Sequence, residues 1–184
     1  MDISKIEEAI KNLISAIGYD PNSPELEKTP NRAAKMYAEM FEGVLYTNDQ
    51  IAEKFNITFN EQVSNDMILI KDIGFFSFCE HHFALMYNMK AHIAYKPKDK
   101  IIGLSKVARI VRLVSKRFQL QERIGNDILY ILKQILQTDD IIIIIEGEHS
   151  CMTARGIKSE GSSTKTITAS GIFTDNKQEV LMSI

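Results

Sequence analysis

The sequence predicts an α+β protein with a mainly antiparallel sheet. Three observations lead to this class: helical periodicity in the first third of the chain, strand-like alternation after Asn56, and two further helical segments followed by a run of isoleucines. The resulting order is helices, strands, two helices and strands, without the regular strand–helix repeat of a parallel sheet. We expect a helical extension over residues 1–56 and one sheet-containing domain, acting as a single functional unit, over residues 57–184.

The first third of the chain is predicted to contain three helices. Apolar residues recur at helical spacing over Ile6–Ile17, and Ser4 is placed to cap this segment. A second helix is expected to begin at Thr29, because Pro30 follows and proline is favoured at the first helical position. A third, short helix is expected at about residues 49–55.

Strand patterns and two more helices fill the rest of the chain. Ile141–Ile145 is a run of five isoleucines, and its short length and β-branched composition favour a strand buried on both faces. Strands are expected over residues 57–59, 67–70, 83–95, 141–145 and 164–173. Helices are expected over residues 105–118, 121–137 and 178–184.

The composition is that of an ordinary soluble protein. The chain has 184 residues, 45% of them apolar and 25% charged, and a formal net charge of −2, which suits one compact domain. No apolar run approaches the ~20 residues that a membrane helix needs, and no signal-peptide core follows Met1. We therefore expect a cytoplasmic protein that binds no membrane. Its basic residues are too scattered to form a nucleic-acid-binding stripe.

The metal-seeking side chains are concentrated in two short segments. Residues 79–82 and 149–151 contain both cysteines and three of the four histidines. A thiolate paired with an imidazole is a ligand set that zinc prefers. Cys79 and His82, at positions i and i+3, can point the same way, and Cys151 could supply a third ligand. Three protein ligands leave a position for water, whose pKa on zinc falls from ~15.7 towards ~7, so the pattern predicts a catalytic site.

Two other interpretations of the cysteines remain open from the sequence. A Cys-x-x-His spacing is common by chance and is often a buried thiol beside a surface imidazole. A disulfide between Cys79 and Cys151 is the other interpretation. Two cysteines in a chain of this length without a secretory signal fit a reducing compartment better.

A group of basic residues predicts an anionic ligand. The helical pattern over residues 105–118 carries basic side chains with no acidic residue among them. Ser105 stands at the predicted start of this helix, followed by Lys106 and Arg109, where free N–H groups and cations favour a phosphate. Further basic residues that could join this phosphate site are Arg32, Lys35 and Arg155.

Six short motifs follow one another between about residues 29 and 173. They are Thr29-Pro30-x-Arg32-x-x-Lys35-Met36-Tyr37, Cys79-Glu80-His81-His82-Phe83, Gly103-Leu104-Ser105-Lys106-x-x-Arg109, Gln121-Glu122-Arg123, His149-x-Cys151-Met152-x-x-Arg155-Gly156 and Gly171-x-Phe173. In this order and at this spacing they resemble the motifs of the GTP cyclohydrolase I family, zinc-dependent enzymes of type IA. No single motif is specific, whereas the six together are.

The resemblance implies a role for each candidate site residue. The family's zinc ligands, which hold one metal per subunit, are matched by Cys79, His82 and Cys151. Its proton-transfer histidines are matched by His81 and His149. Its contacts to the guanine edge are matched by Gln121 and Glu122. Its triphosphate contacts are matched by Arg32, Lys35, Ser105, Lys106, Arg109 and Arg155.

The resemblance also implies the reaction, the fold and the assembly. The family opens the guanine imidazole ring of GTP by hydrolysis at C8, releases formate and forms 7,8-dihydroneopterin triphosphate, in the first step of tetrahydrofolate and pterin biosynthesis. Its tunnelling fold (T-fold) has a four-stranded antiparallel sheet with two helices on one face, here expected in a catalytic domain over residues 57–184. Its subunits form a homodecamer with active sites between subunits.

Other function classes remain as alternatives. A nucleotide deaminase of the zinc type would need a His-x-Glu and a Pro-Cys-x-x-Cys motif, and the chain contains neither. A non-catalytic zinc or nucleotide-binding module would need a fourth ligand, and there is no third cysteine. A sister T-fold enzyme acting on another purine or pterin is the third alternative, and the presence of Glu122 argues against it. Glu80 receives no role, and His92 is expected to be structural.

Overall fold

A computed structural model of the chain describes residues 1–60 and 66–184. The described residues form two compact units, Met1–Leu45 and Tyr46–Ile184. The third helix, α3 (Asn48–Phe55), belongs to the second unit and packs on helices of that unit. The expected domain boundary between residues 56 and 57 stays a prediction.

The N-terminal unit is helical, as expected. It contains α1 (Ile3–Ala16), α2 (Thr29–Met40) and a 3-10 helix (Glu42–Leu45). The two α-helices pack together, and Asn31 Nδ2 donates a hydrogen bond to Glu7 Oε2 at 2.9 Å. The expected cap of α1 is wrong: Asp2 is the N-cap, and its carboxylate accepts from the Lys5 N–H at 3.0 Å. Ser4 lies inside the helix.

The second unit combines a sheet with helices. After α3 its helices are α4 (Leu104–Ser115), α5 (Gln121–Leu136), α6 (Ser150–Thr153), a 3-10 helix (Gly171–Thr174) and α7 (Gln178–Leu181). Its strands are β1 (Thr58–Asn60), β2 (Ile68–Cys79), β3 (Ala84–Tyr95), β4 (Lys100–Ile102), β5 (Phe118–Gln119), β6 (Ile141–His149) and β7 (Thr164–Ser170). Among the described residues, no helix is long and apolar enough to cross a membrane.

The main sheet has five strands in the order β5-β2-β3-β6-β7. Each neighbouring pair among the four longer strands is antiparallel. Strand β5 pairs with the end of β2 in parallel, with Cys79 opposite Gln119. A separate two-stranded sheet joins β1 to β4. The α+β class is therefore confirmed, but the four-stranded antiparallel description is incomplete. Strand β5 has only two residues, too few for any periodicity to reveal it.

Helices α4 and α5 cover one face of the sheet, as expected. Alternate isoleucines of β6, such as Ile143 and Ile145, face them within the main core. The intervening Ile142 and Ile144 are buried on the opposite face, against Phe173. The five-isoleucine run is therefore a strand buried on both faces, as predicted.

Gly125 allows α5 to lie close to β7. A Cβ atom at this position would come within 2.5 Å of Thr168 Oγ1. Glycine in a helix costs about 1 kcal/mol relative to alanine. At this position, the absence of a Cβ atom lets α5 lie closer to β7 than any larger residue would permit.

A half-buried polar network links α3, β5 and α5. Arg117 Nη1 donates to Asn48 Oδ1 at 2.8 Å and to Asp127 Oδ2 at 3.3 Å. Asp127 also accepts from Asn48 Nδ2 at 2.9 Å and from Gln119 Nε2 at 3.0 Å. The side chains of Arg117 and Asp127 are only 16% and 18% exposed. Burial lowers the pKa of Arg117, and the nearby Asp127 carboxylate opposes that shift.

An Asp127→Ala variant is expected to lose about 3 kcal/mol of its free energy of unfolding, because several donors and a poorly solvated guanidinium lose one acceptor. Chemical denaturation at fixed subunit concentration measures this change. The matched control is Asp49→Ala on α3, an exposed carboxylate that accepts from Tyr130 and Gln134, and its loss should destabilise the protein much less. Equal losses of unfolding free energy in the two variants would contradict the stabilising role of the Asp127 network.

Candidate active site

Four chain segments meet at one end of the main sheet. Strand β2 ends at Cys79, and a four-residue turn over residues 80–83 leads into β3. Strand β6 runs antiparallel to β3 and ends with His149 opposite Met86, so the residues that follow β6 arrive beside this turn. Helix α5 starts just after β5, and β5 is paired with the end of β2. The sheet topology thus brings together motifs that are about 70 residues apart in sequence.

The three predicted metal ligands lie together at this end of the sheet. The ligand atoms of Cys79, His82 and Cys151 are all within 4.8 Å of one another, and Cys79 Sγ is 3.9 Å from His82 Nδ1. Both cysteines are free thiols, so the disulfide interpretation does not hold. Within the described ranges, the group includes no fourth His, Cys, Asp or Glu side chain. Two thiols and one imidazole fit a zinc site that keeps one coordination position open.

The charges around Cys151 also suit a metal site. Burial raises the pKa of the Cys151 thiol, and the neighbouring Cys79 raises it further. The positive charge of Arg155 lowers this pKa. A bound cation would favour the thiolate form of Cys151, which burial and the neighbouring Cys79 disfavour.

His149 is half-buried and held by Gln121. Its Nε2 lies 2.9 Å from Gln121 Oε1. Burial lowers the pKa of His149, and the negative charge of Glu122 opposes this shift. The Gln121 amide nitrogen in turn donates to the carbonyl oxygens of Ile145 and Thr164, each at 3.0 Å. The expected contact of Gln121 with guanine stays a prediction. In the structure, both ends of its side-chain amide hydrogen-bond to protein groups.

An ion pair between Arg123 and Glu80 joins the turn over residues 80–83 to α5. Arg123 donates to Glu80 through its two terminal guanidinium nitrogens, at 2.6 and 3.1 Å. The hydrogen bond from Arg123 lowers the pKa of Glu80. His81 lies in this turn with 64% of its side chain exposed, and its Nε2 is 4.0 Å from Glu80 Oε1. No role was predicted from the sequence for Glu80 or Arg123, although each lies within one of the six motifs.

These groups line one pocket. Its volume is about 250 Å³, and its walls include the three metal-ligand candidates together with His81, His149 and Glu122. Glu122 lies in the first turn of α5, is exposed, and lines this pocket. One chain therefore places the expected guanine anchor, both expected proton-transfer histidines and the metal group around a single cavity.

The expected phosphate residues of α4 lie elsewhere. The C-terminal end of α4 contacts β2 two residues before Cys79, because Ser77 Oγ donates to Ser115 O at 2.7 Å. Ser105 and Lys106 are in the first turn at the opposite end of this helix. At ~1.5 Å rise per residue, Lys106 is about 14 Å along the axis from Ser115. Arg109 is exposed between these ends, and none of the three residues is among the described residues that line the pocket.

The remaining expected phosphate residues divide between the two units. Arg155 follows α6, four residues after Cys151, and is exposed. Arg32 and Lys35 are exposed on α2 of the N-terminal unit, one helical turn apart.

The fourth histidine is outside the pocket. His92 is buried on β3, and its Nδ1 accepts from the Asp72 N–H at 3.3 Å. Burial lowers the pKa of His92, which favours the neutral ring that this hydrogen bond needs. These contacts agree with the structural role expected from the sequence.

Comparisons with known proteins agree with this geometry. A family model described as GTP cyclohydrolase I matches residues 6–184. The protein named GTP cyclohydrolase 1 from Clostridium botulinum (strain Kyoto / Type A2) is 54% identical over 178 residues, covering 94% of this chain and 91% of the relative. Its namesake from Clostridium beijerinckii is 49% identical over 190 residues, covering 99% of this chain and 96% of the relative. The chain therefore belongs to the GTP cyclohydrolase I family.

Proposed function

We propose that this protein catalyses the GTP cyclohydrolase I reaction: hydrolytic opening of the guanine imidazole ring of GTP at C8, release of formate, and formation of 7,8-dihydroneopterin triphosphate. This is the first step of tetrahydrofolate and pterin biosynthesis. The observation that carries the proposal is the pocket in which the Cys79–His82–Cys151 group, two histidines and Glu122 lie together. Its location in a member of this family makes GTP the substrate.

Zn²⁺ is the proposed cofactor, one per chain, with Cys79, His82 and Cys151 as its ligands. When bound, it supplies a hydroxide nucleophile near neutral pH. The soft thiolate ligands favour zinc over Mg²⁺ or Ca²⁺, which take oxygen ligands. The two free cysteines need a reducing compartment to stay available, so we also propose a cytoplasmic location.

Guanine recognition is proposed to centre on Glu122. Guanine presents two adjacent donors, the ring N1–H and the exocyclic amino group, and a carboxylate can accept from both. Glu122 stands in the first turn of α5 on the wall of the pocket that holds the metal group. A base held there would present its imidazole ring towards the interior, where His149 and His81 can transfer the protons that ring opening requires.

The triphosphate is proposed to bind between subunits of a homodecamer. Arg155 follows Cys151 by four residues in its own chain. Lys106 is about 14 Å along α4 from the end that touches β2. A neighbouring copy that placed its α4 start over the pocket would complete the phosphate site with Ser105, Lys106 and Arg109. Arg32 and Lys35 are proposed to add to the same cradle.

A Lys106→Ala variant is expected to raise the KM for GTP about tenfold with little change in kcat, because it removes one charge-assisted phosphate contact. The KM of the unmodified protein should rise with ionic strength, and that of the variant should rise less steeply. Initial rates at several salt concentrations measure both effects. Arg112→Ala, an exposed cation farther along α4, is the matched control and should leave the KM within about twofold.

Mixed assemblies test whether two chains share a site. Lys106→Glu chains keep the metal ligands, and Cys151→Ser chains keep the phosphate contact. If neighbouring chains complete each other's sites, co-assembled oligomers should turn over GTP at low concentrations at which neither parent is active. No recovery in oligomers proven to be mixed by native mass spectrometry would contradict the shared site.

The proposed function itself is tested by incubating zinc-loaded protein with GTP and measuring pterin fluorescence after oxidation of the product. ATP, which lacks the guanine donor pair, is the matched substrate control. Pterin formed from GTP and none from ATP is the expected result. No product from fully assembled, zinc-loaded protein would contradict the proposal and favour an enzyme acting on another purine or pterin.

A further inference from the structure

The Gln121 side chain connects α5, two strands and His149. Gln121 is the first residue of α5 and is only 2% exposed. Its Nε2 donates to Ile145 O and Thr164 O, each at 3.0 Å, and is 3.3 Å from Thr166 Oγ1. Backbone carbonyl oxygens can only accept hydrogen bonds, so they identify which end of the amide is nitrogen. Reversing the amide would set its oxygen against two carbonyl oxygens.

The fixed amide determines what His149 can do. With Nε2 of Gln121 turned to the strands, its Oε1 faces His149 Nε2 at 2.9 Å. An amide oxygen has no proton to donate, so the ring nitrogen must carry the hydrogen of this bond. A neutral imidazole has one N–H, and therefore the lone pair of His149 lies on Nδ1.

We propose that Gln121 is a positioning residue that holds His149 as the Nε2–H tautomer, so that Nδ1 is the atom that accepts and returns protons during the reaction. This inference rests on the proposed function, since it assigns an atom to the proton-transfer role of His149. When Nδ1 takes a proton, the ring becomes an imidazolium and Nε2–H still donates to Gln121. When Nδ1 releases the proton, the original state returns without rotation of the ring or the amide.

The placement of the ring supports this assignment. His149 lines the pocket that also contains the metal group and Glu122. Gln121 occupies one ring nitrogen, which leaves Nδ1 as the nitrogen with an available lone pair. The partners of Gln121 belong to two paired strands, where Ile145 lies opposite Thr166, so the sheet itself holds the amide in place.

The tautomer can be read directly by solid-state ¹⁵N NMR of zinc-loaded, ¹⁵N-histidine-labelled protein. The His149 signals are those that disappear in a His149→Gln variant. We expect a protonated Nε2 and an unprotonated Nδ1 for this residue in the substrate-free protein. Any other protonation pattern would overturn the inference. The measurement needs no variant of Gln121, and its result is independent of turnover.

Two substitutions separate positioning from packing. Gln121→Leu and Gln121→Glu both lose the donations to the strand carbonyls, but only the glutamate keeps an oxygen that can accept from His149 Nε2–H. We expect the leucine variant to lose about 100-fold in kcat, with KM for GTP and zinc content little changed, and the glutamate variant to retain about tenfold more activity than leucine. Equal kcat values in the two folded variants would mean that Gln121 only joins α5 to the sheet.

The outcomes also distinguish this inference from the proposed function. If the unmodified protein makes no pterin from GTP, the proposed function fails whatever the tautomer. If it makes pterin but His149 is protonated on Nδ1, the function stands and the positioning role of Gln121 fails.

Discussion

A Cys151→Ser variant is expected to lose its zinc and more than about 100-fold of its turnover. Even neighbours that only hydrogen-bond to metal ligands contribute about 10–100-fold to affinity or activity, so removal of a ligand should cost more. Serine is nearly isosteric with cysteine, but its hydroxyl is a far weaker zinc ligand than a thiolate. Cys151 lies on the short α6, half-buried within 4.8 Å of the other two ligand atoms.

Elemental analysis and initial rates measure the two losses on the same sample. Ser150→Ala is the matched control, because Ser150 precedes Cys151 on α6 and its side chain is not part of the metal group. This control should retain zinc and activity. A Cys151→Ser protein that kept full turnover without bound metal would contradict the proposed role of the site.

A Glu122→Gln variant is expected to lose about 2–4 kcal/mol of transition-state stabilisation with GTP, which is a fall of roughly 30- to 1,000-fold in kcat/KM for GTP. The amide replaces one of the two acceptor oxygens with a donor, which faces a guanine donor. Zinc content should not change, because Glu122 lines the pocket but is not in the metal group.

The sharper readout for Glu122 is the ratio of kcat/KM for GTP to that for inosine triphosphate, which lacks the exocyclic amino group. This ratio should fall towards one in the variant. Glu179→Gln is the matched control, because Glu179 is an acidic residue in the first turn of α7 as Glu122 is in that of α5. An unchanged ratio in Glu122→Gln would show that another group reads the amino group.

The metal group and the fold class could be predicted because their signals are local. Cys79 and His82 are separated by one turn of chain, and the two cysteines of the molecule offered no competing pairs. The isoleucine run before His149 indicated a strand that ends at the second motif. The T-fold expectation is confirmed by membership of the family, with the addition of a short fifth strand.

The contacts that orient the site could not be predicted, because they depend on the register of distant strands. Gln121 reaches Ile145 and Thr164 only because β6 and β7 pair in one particular alignment. The ion pair between Glu80 and Arg123 joins a hairpin turn to a helix 43 positions away. Neither partner has a periodicity or spacing that would indicate the other.

The separation of Lys106 from the metal group was also hidden in the sequence. Motifs that follow one another along a chain give no distance between them, whereas helix α4 sets about 14 Å between Lys106 and the end that touches β2. The resemblance implied active sites between subunits. The geometry of a single chain gives a physical reason for that expectation.

The most direct test of the central claim uses GTP labelled with ¹³C at C8 of guanine. Metal-analysed protein is incubated with this substrate and followed by ¹³C NMR, with and without a chelator, and again after zinc is restored. We predict that the label appears in formate, that chelation stops its release, and that zinc restores it. Formate release that continues after the metal has been removed, or a product that retains the label at the former C8, would contradict the account.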